Sequence, residues 1–244
     1  MKQKIYDIPI WETYEEHITE CALCDIEKNL EKSFMDILFD DMLMTPFFAK
    51  QLQEFSFCSH HYEGLYRYKD KLGLAIIVNN FLQCEKESLE KYKKQDNLTK
   101  KSGILKGLIK SREVKQCDNI QIPKDCYLCK KIDENMPDYI EVLIMLWRKE
   151  QLFRELYSKS KGHCKKHFNM LFSFSGNYLS GDNEKTFKEI TLAMQVENTD
   201  RLINELDWFI SKYDYRFQNE PWKNSKDALP RCIKKLEGDF NDES

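Results

Sequence analysis

Four short motifs hold the residues best suited to chemistry. Cys21-Ala-Leu-Cys24 and Cys126-Tyr-Leu-Cys129 are CxxC pairs, and Cys58-Ser-His-His61 and Cys164-Lys-Lys-His167 are CxxH pairs. In each case a CxxC precedes a CxxH, with 33 residues between the first two motifs and 34 between the second two. A two-residue spacer lets both donors of a motif face one ion, and three sulfurs with one imidazole form a standard zinc ligand set. Eight residues are therefore candidate metal ligands: Cys21, Cys24, Cys58, His61, Cys126, Cys129, Cys164 and His167. The spacing pairs each CxxC with the CxxH that follows it, giving two zinc ions per chain. An iron-sulfur cluster is the alternative for the same donors, and the alternative function is a redox or metal-responsive protein holding such a cluster or labile zinc released on thiol oxidation.

Other residues near these motifs have plainer readings. His60 is an alternative to His61, but the register with His167 favours His61. His163 has no counterpart in the first motif pair and reads as exposed, as does His17, four residues before Cys21. Cys84, Cys117 and Cys232 fall outside the pattern and read as small buried hydrophobes. Lys212, Asp214, Tyr215, Arg216 and Glu220 form a polar group near the end of a helical stretch, where ion pairs and caps are the ordinary role. There is no GxSxG elbow, Gly-rich phosphate loop or HExxH. A non-enzyme is favoured.

The elements that position the motifs read as helical. An offset of 105 lays Cys21 and Cys24 on Cys126 and Cys129, Phe34 on Tyr139, Ile37 on Val142, Leu38 on Leu143, Phe47 on Leu152 and Phe48 on Phe153. An offset of 106 lays Cys58, His61 and Leu65 on Cys164, His167 and Leu171. Apolar residues recur at three and four along each copy, predicting an all-α fold of two pseudo-repeated halves, each with a metal site joining helix starts. A long helix is expected over about 23–43, then a short one to about 55 with Thr45 as N-cap and Pro46 in its first turn. A third is expected from near His60 through Leu82, kinked at Gly73. The second half should end in helices near 185–213 and 225–236.

The resulting division is a first repeat over 1–94, a linker over 95–125 and a second repeat over 126–244. The linker is Lys-rich and holds one short amphipathic stretch at Ile104, Leu105, Leu108 and Ile109. It is the best segment for a partner or an anionic surface, although a basic face of this kind is usually only solvated.

Composition bounds the rest. With 41% hydrophobic and 13% aromatic residues the chain can pack a core, while 8 Gly and 6 Pro in 244 residues suit helices. A net charge of −3 gives no general drive toward nucleic acid, so binding to it is not expected. The first twenty residues contain no signal-peptide core, and no stretch is long and apolar enough to span a membrane. A cytoplasmic location follows as an expectation, and in that reducing compartment nine cysteines suit metal binding better than disulfides. Nothing points to a small-molecule substrate; an unidentified macromolecular partner is expected.

Taken with these motifs, the chain resembles an uncharacterised bacterial family, domain of unknown function 6062, almost end to end. The resemblance rests on Cys21-x-x-Cys24, Phe57-Cys58-x-x-His61, Cys126-x-x-Cys129, Gly162-x-Cys164-x-x-His167, and the stretch ELDWFISKYDYRF followed by Lys226-Asp227-Ala228 and Arg231. Ser56 stands where the family's first motif has Gly, and His163 where its second has an apolar residue; neither change removes a candidate ligand. The resemblance supports the fold and the metal sites and implies no activity.

Overall fold

In the computed structural model, residues 2–16, 19–42, 55–101 and 125–238 are described. They form nine α-helices: α1 (Lys2–Glu16), α2 (Ala22–Ile37), α3 (Ser59–Arg67), α4 (Lys71–Lys101), α5 (Tyr127–Lys149), α6 (Gln151–Lys159), α7 (Lys165–Tyr178), α8 (Asp182–Ser211) and α9 (Ala228–Glu237). A π-helical turn, Leu38–Met42, extends α2, and a 3-10 turn, Tyr215–Phe217, follows α8. Among the described residues the fold is all-α, with one isolated bridge between Ser56 and Cys126.

Helix α2 confirms the first expected helix. The expected third helix is two, α3 and α4, because the chain is extended at Tyr68 and restarts where the Asp70 carboxylate accepts the Gly73 N–H at 2.8 Å. Helix α4 continues to Lys101, seven residues into the stretch read as linker. The short helix starting at Pro46 and the apolar cluster at 104–109 lie outside the described residues.

Helix α1 has no counterpart in the sequence reading. Its apolar residues lie all around the helix, and Pro9 inside it breaks the usual backbone pattern, leaving no helical stripe to detect.

The compact units are not the sequence halves. One unit comprises Met1–Leu30 with Asp133–Ser244, and the other comprises Glu31–Ile132. Their boundaries fall within α2 and α5.

In the first unit, α1 packs on α6, with Trp11 and Tyr14 edge-on to Phe153 at 5.2 and 5.3 Å. Trp147, Tyr157 and Phe187 complete an aromatic core with these residues. A chain of ion pairs closes the end of this unit: buried Glu20 meets Arg201 at 2.5 Å and Arg231 at 3.4 Å, and both arginines also reach Glu205. The second unit has its own core, built on Met35, Leu38, Phe39, Phe57, Leu65, Leu74 and Ile77.

Candidate metal centres

Each motif sits at a helix start. Cys24 N–H donates to the Cys21 carbonyl at 3.0 Å, forming a tight turn into α2. Cys58 and Cys164 are the N-caps of α3 and α7, so the histidine three residues later lies in the first turn of each helix, facing back toward its cysteine. Around Cys126 the chain is fixed by a short ladder: Ser56 N–H donates to Asp125 O at 3.2 Å and Tyr127 N–H donates to Ser56 O at 2.9 Å. Ser56 thus uses its backbone to hold the two motifs side by side, which a serine can do as well as a glycine.

The motifs meet crosswise. Cys21 and Cys24 converge with Cys164 and His167, while Cys58 and His61 converge with Cys126 and Cys129. The sequence spacing had paired the first CxxC with the first CxxH and the second with the second, and this pairing is corrected. The reason lies in the path of the chain. Helix α2 leaves the first unit after Leu30, so Cys58 and His61 fall in the second unit, where the available CxxC is Cys126 and Cys129. The chain returns to the first unit at Asp133, bringing Cys164 and His167 to Cys21 and Cys24.

Within each group the donor atoms lie within 4.8 Å of one another. His167 Nδ1 is 3.4 Å from Cys21 Sγ, 3.4 Å from Cys24 Sγ and 3.3 Å from Cys164 Sγ. His61 Nδ1 is 3.1, 3.2 and 3.3 Å from the sulfurs of Cys58, Cys126 and Cys129, and Cys58 Sγ is 3.8 Å from Cys129 Sγ. A tetrahedron with Zn–S bonds of ~2.3 Å and Zn–N bonds of ~2.0 Å has S–S edges near ~3.8 Å and S–N edges near ~3.5 Å. These groups have the size of one tetrahedral ion, and the sulfur separation is far too long for a disulfide. All eight described cysteines are free.

Beyond the donors, each imidazole meets a carboxylate. Glu27 Oε2 is 3.1 Å from His167 Nε2, and Glu31 Oε1 is 3.3 Å from His61 Nε2. A proton on Nε2 leaves Nδ1 with its lone pair toward the sulfurs, the tautomer a metal requires. Lys166 pairs with the other oxygen of Glu27. Burial alone would raise the Glu27 carboxyl, but hydrogen bonds from His167 and Lys166 outweigh it and hold Glu27 below the usual range.

The donors also perturb one another. Burial acts to lower His61 and His167, yet hydrogen bonds to thiolates and to Glu31 or Glu27 raise them to about 10 and about 11. Burial acts to raise the Cys126 thiol, but hydrogen bonds from His61 and from the Cys129 and Cys58 backbones bring it down to about 6. Burial and the Cys126 charge push Cys129 up to about 12. Hydrogen bonds from Cys21 and Cys24 lower Cys164, while hydrogen bonds with Cys164 and Cys21 raise Cys24. Crowded thiols cannot all ionise together unless a cation compensates them.

His60 is turned outward with its side chain 55% exposed and its Nε2 3.7 Å from Glu31, so His61 takes the inward place. His163, expected to be exposed, is fully buried. Gly162 directs it inward: its φ of +81° is open to glycine, and a Cβ there would lie 2.8 Å from Gln195 Oε1. Gln195 then binds the His163 N–H at 3.0 Å and its carbonyl at 2.8 Å, and the ring packs on Tyr157. Burial drives the His163 imidazole down to about 3. His17 and Cys117 lie outside the described residues, and Cys84 and Cys232 are half-buried.

The Lys212 group is tied together by local bonds. The buried ammonium donates to the carbonyls of Phe217, Gln218 and Glu220 at 2.5, 2.9 and 2.5 Å, while Arg216 and Asp214 form a local pair.

A family model matches residues 1–243, which is nearly the whole chain. The chain belongs to DUF6062, a family of unknown function. No curated protein and no solved structure matches it. For this DUF6062 chain, the donor geometry is therefore the main guide to function. Sequence reasoning missed Glu27 and Glu31, although a glutamate three residues after Cys24, in the first turns of α2, was a usable signal.

Proposed function

We propose that both groups bind zinc as closed structural sites, and that the protein is a non-catalytic scaffold or adaptor for another macromolecule in the reducing cytoplasm. The observation that carries this reading is the convergence of three sulfurs and one imidazole nitrogen, twice, on a space the size of one tetrahedral ion. A d¹⁰ ion with no geometric preference of its own suits such a set. Four protein donors leave no open position for a substrate, in contrast to a catalytic zinc. A cluster would share the four donors among two or more irons and spread them wider, so the spacing favours a single ion over iron-sulfur.

Zinc here would join helix starts. One ion ties α2 to α7 and the other ties α3 to α5, through ligands contributed by each. The protein's part is to supply thiolates and hold each imidazole by its carboxylate. Elemental analysis of protein purified without oxygen and without an affinity metal column tests the reading. About two zinc per chain and a colourless solution are expected; iron with a visible band would make the iron-sulfur alternative correct, and absence of metal would overturn both.

A further inference from the structure

The two centres differ in shielding. Cys21, Cys24, Cys164 and His167 are all buried, with Cys164 and His167 fully so. Gly238, just after α9, brings its backbone so close that a Cβ there would lie 3.8 Å from Cys164 Sγ and 3.9 Å from Cys24 Sγ. Lys235 of α9 lies alongside, its ammonium bound to the carbonyls of Glu20 and Lys161. In the other centre His61 and Cys126 are buried, but Cys58 and Cys129 are each half-buried. The sulfurs of these two less buried cysteines are also neighbours, 3.8 Å apart and from different elements.

We propose that Cys58 and Cys129 form an oxidation site for hydroperoxides, at which a disulfide replaces the metal. This rests on the zinc reading above. One thiolate attacks the peroxide O–O bond, giving a sulfenic acid and releasing hydroxide (or an alkoxide from an organic peroxide). The second thiolate then attacks that sulfur, forming the S–S bond and expelling a second hydroxide. Two electrons pass from the two sulfurs to the peroxide oxygens, and two protons from solvent complete two waters from hydrogen peroxide, or one water and one alcohol from an organic peroxide. Cys126 and His61 remain as a two-donor remnant, too few to retain zinc in a tetrahedral site.

The bond at Cys58–Cys129 has a structural consequence that one within Cys126–Cys129 lacks. It still ties the start of α3 to the start of α5, the same link the metal made. Zinc leaves without undoing the second unit, and the reaction reverses with a thiol reductant and zinc.

The experiment uses the full chain, first shown to hold two zinc ions. Hydrogen peroxide is added with a chromogenic zinc chelator present, and the product with one zinc left is digested without reduction. One zinc is expected to appear about tenfold faster than the other, with Cys58 linked to the peptide Asp125–Lys130, which carries both Cys126 and Cys129. Fragmentation of that peptide should place the bond on Cys129. Iodoacetamide on the untreated zinc protein provides a check independent of any variant: among the six ligand cysteines, Cys58 and Cys129 should alkylate first. Release of both ions at one rate, a Cys126–Cys129 bond, or earlier reaction at Cys21, Cys24 or Cys164 would overturn this inference and leave the zinc reading intact. Absence of bound zinc would overturn both.

Discussion

Glu27 and Glu31 act at the scale of the single residue, by orienting His167 and His61. Such outer partners typically carry 10- to 100-fold in metal affinity. Glu27→Gln should therefore weaken zinc binding at Cys21/Cys24/Cys164/His167 by about that factor, measured by competition with a calibrated chelator, and leave the other centre unchanged; Glu31→Gln should do the reverse. His163 gives a pH prediction. Its folded value is depressed, so as pH falls below 6.5 the unfolded chain takes up a proton that the folded chain refuses until about pH 3. Stability from this group is complete above pH 6.5 and is lost as pH falls through that window, by at most about 1.4 kcal/mol per pH unit. Replacing it, as in His163→Leu, should flatten the acid limb of a stability–pH curve by that slope; a parallel curve would show that the ring is hydrated.

At the scale of elements, the crossed pairing is testable without a structure. Residues in one centre should be energetically coupled, and residues in different centres should be additive. Each of Cys24→Ser and Cys164→Ser should lower the melting temperature by about 10 °C or more, and their double variant should be little worse than either. Cys24→Ser with Cys58→Ser should show nearly the sum. Additivity of Cys24 with Cys164 would contradict the pairing. Turn geometry makes a smaller demand: Gly162→Ala combines a positive φ with a close approach to Gln195, and should cost about 1–2 kcal/mol by denaturant unfolding.

Legibility also divides at this scale. Helices α2 and α8 were readable from three-and-four periodicity, and the donor set from motif spacing. The pairing was not, because near-equal gaps suggest local partners, while the real partners depend on where α2 takes the chain. Helix α1 and the burial of His163 were hidden for related reasons. Both rest on packing against distant residues, Phe153 and Gln195, that leave no local pattern.

For the whole molecule, chelation offers the clearest test of two metal-dependent units. Stripping both ions should increase hydrogen exchange at α2, α3, α5 and α7 near the motifs, and lower the melting temperature by more than any single ligand variant. Losing only the buried centre through Cys164→Ser should confine the increase to residues 1–30 and 133–238. An increase spread over all described helices would mean that the units do not respond separately.

The crossed pairing also matters while the chain is being made. Cys21 and Cys24 leave the ribosome before either CxxH, and the first CxxH to follow them is Cys58 with His61, which is not their partner. His167 lies 143 residues beyond Cys24, whereas His61 lies 37 beyond it. At 5–20 residues per second the true partner arrives about 5–20 s after the false one, and closing the longer loop costs about 1 kcal/mol more. A nascent chain in the presence of zinc therefore meets a complete but incorrect ligand set first. The recurrence of the motifs that makes them conspicuous also builds in a competitor, and on the zinc reading the native state requires that first grip to be weak, or zinc to come late.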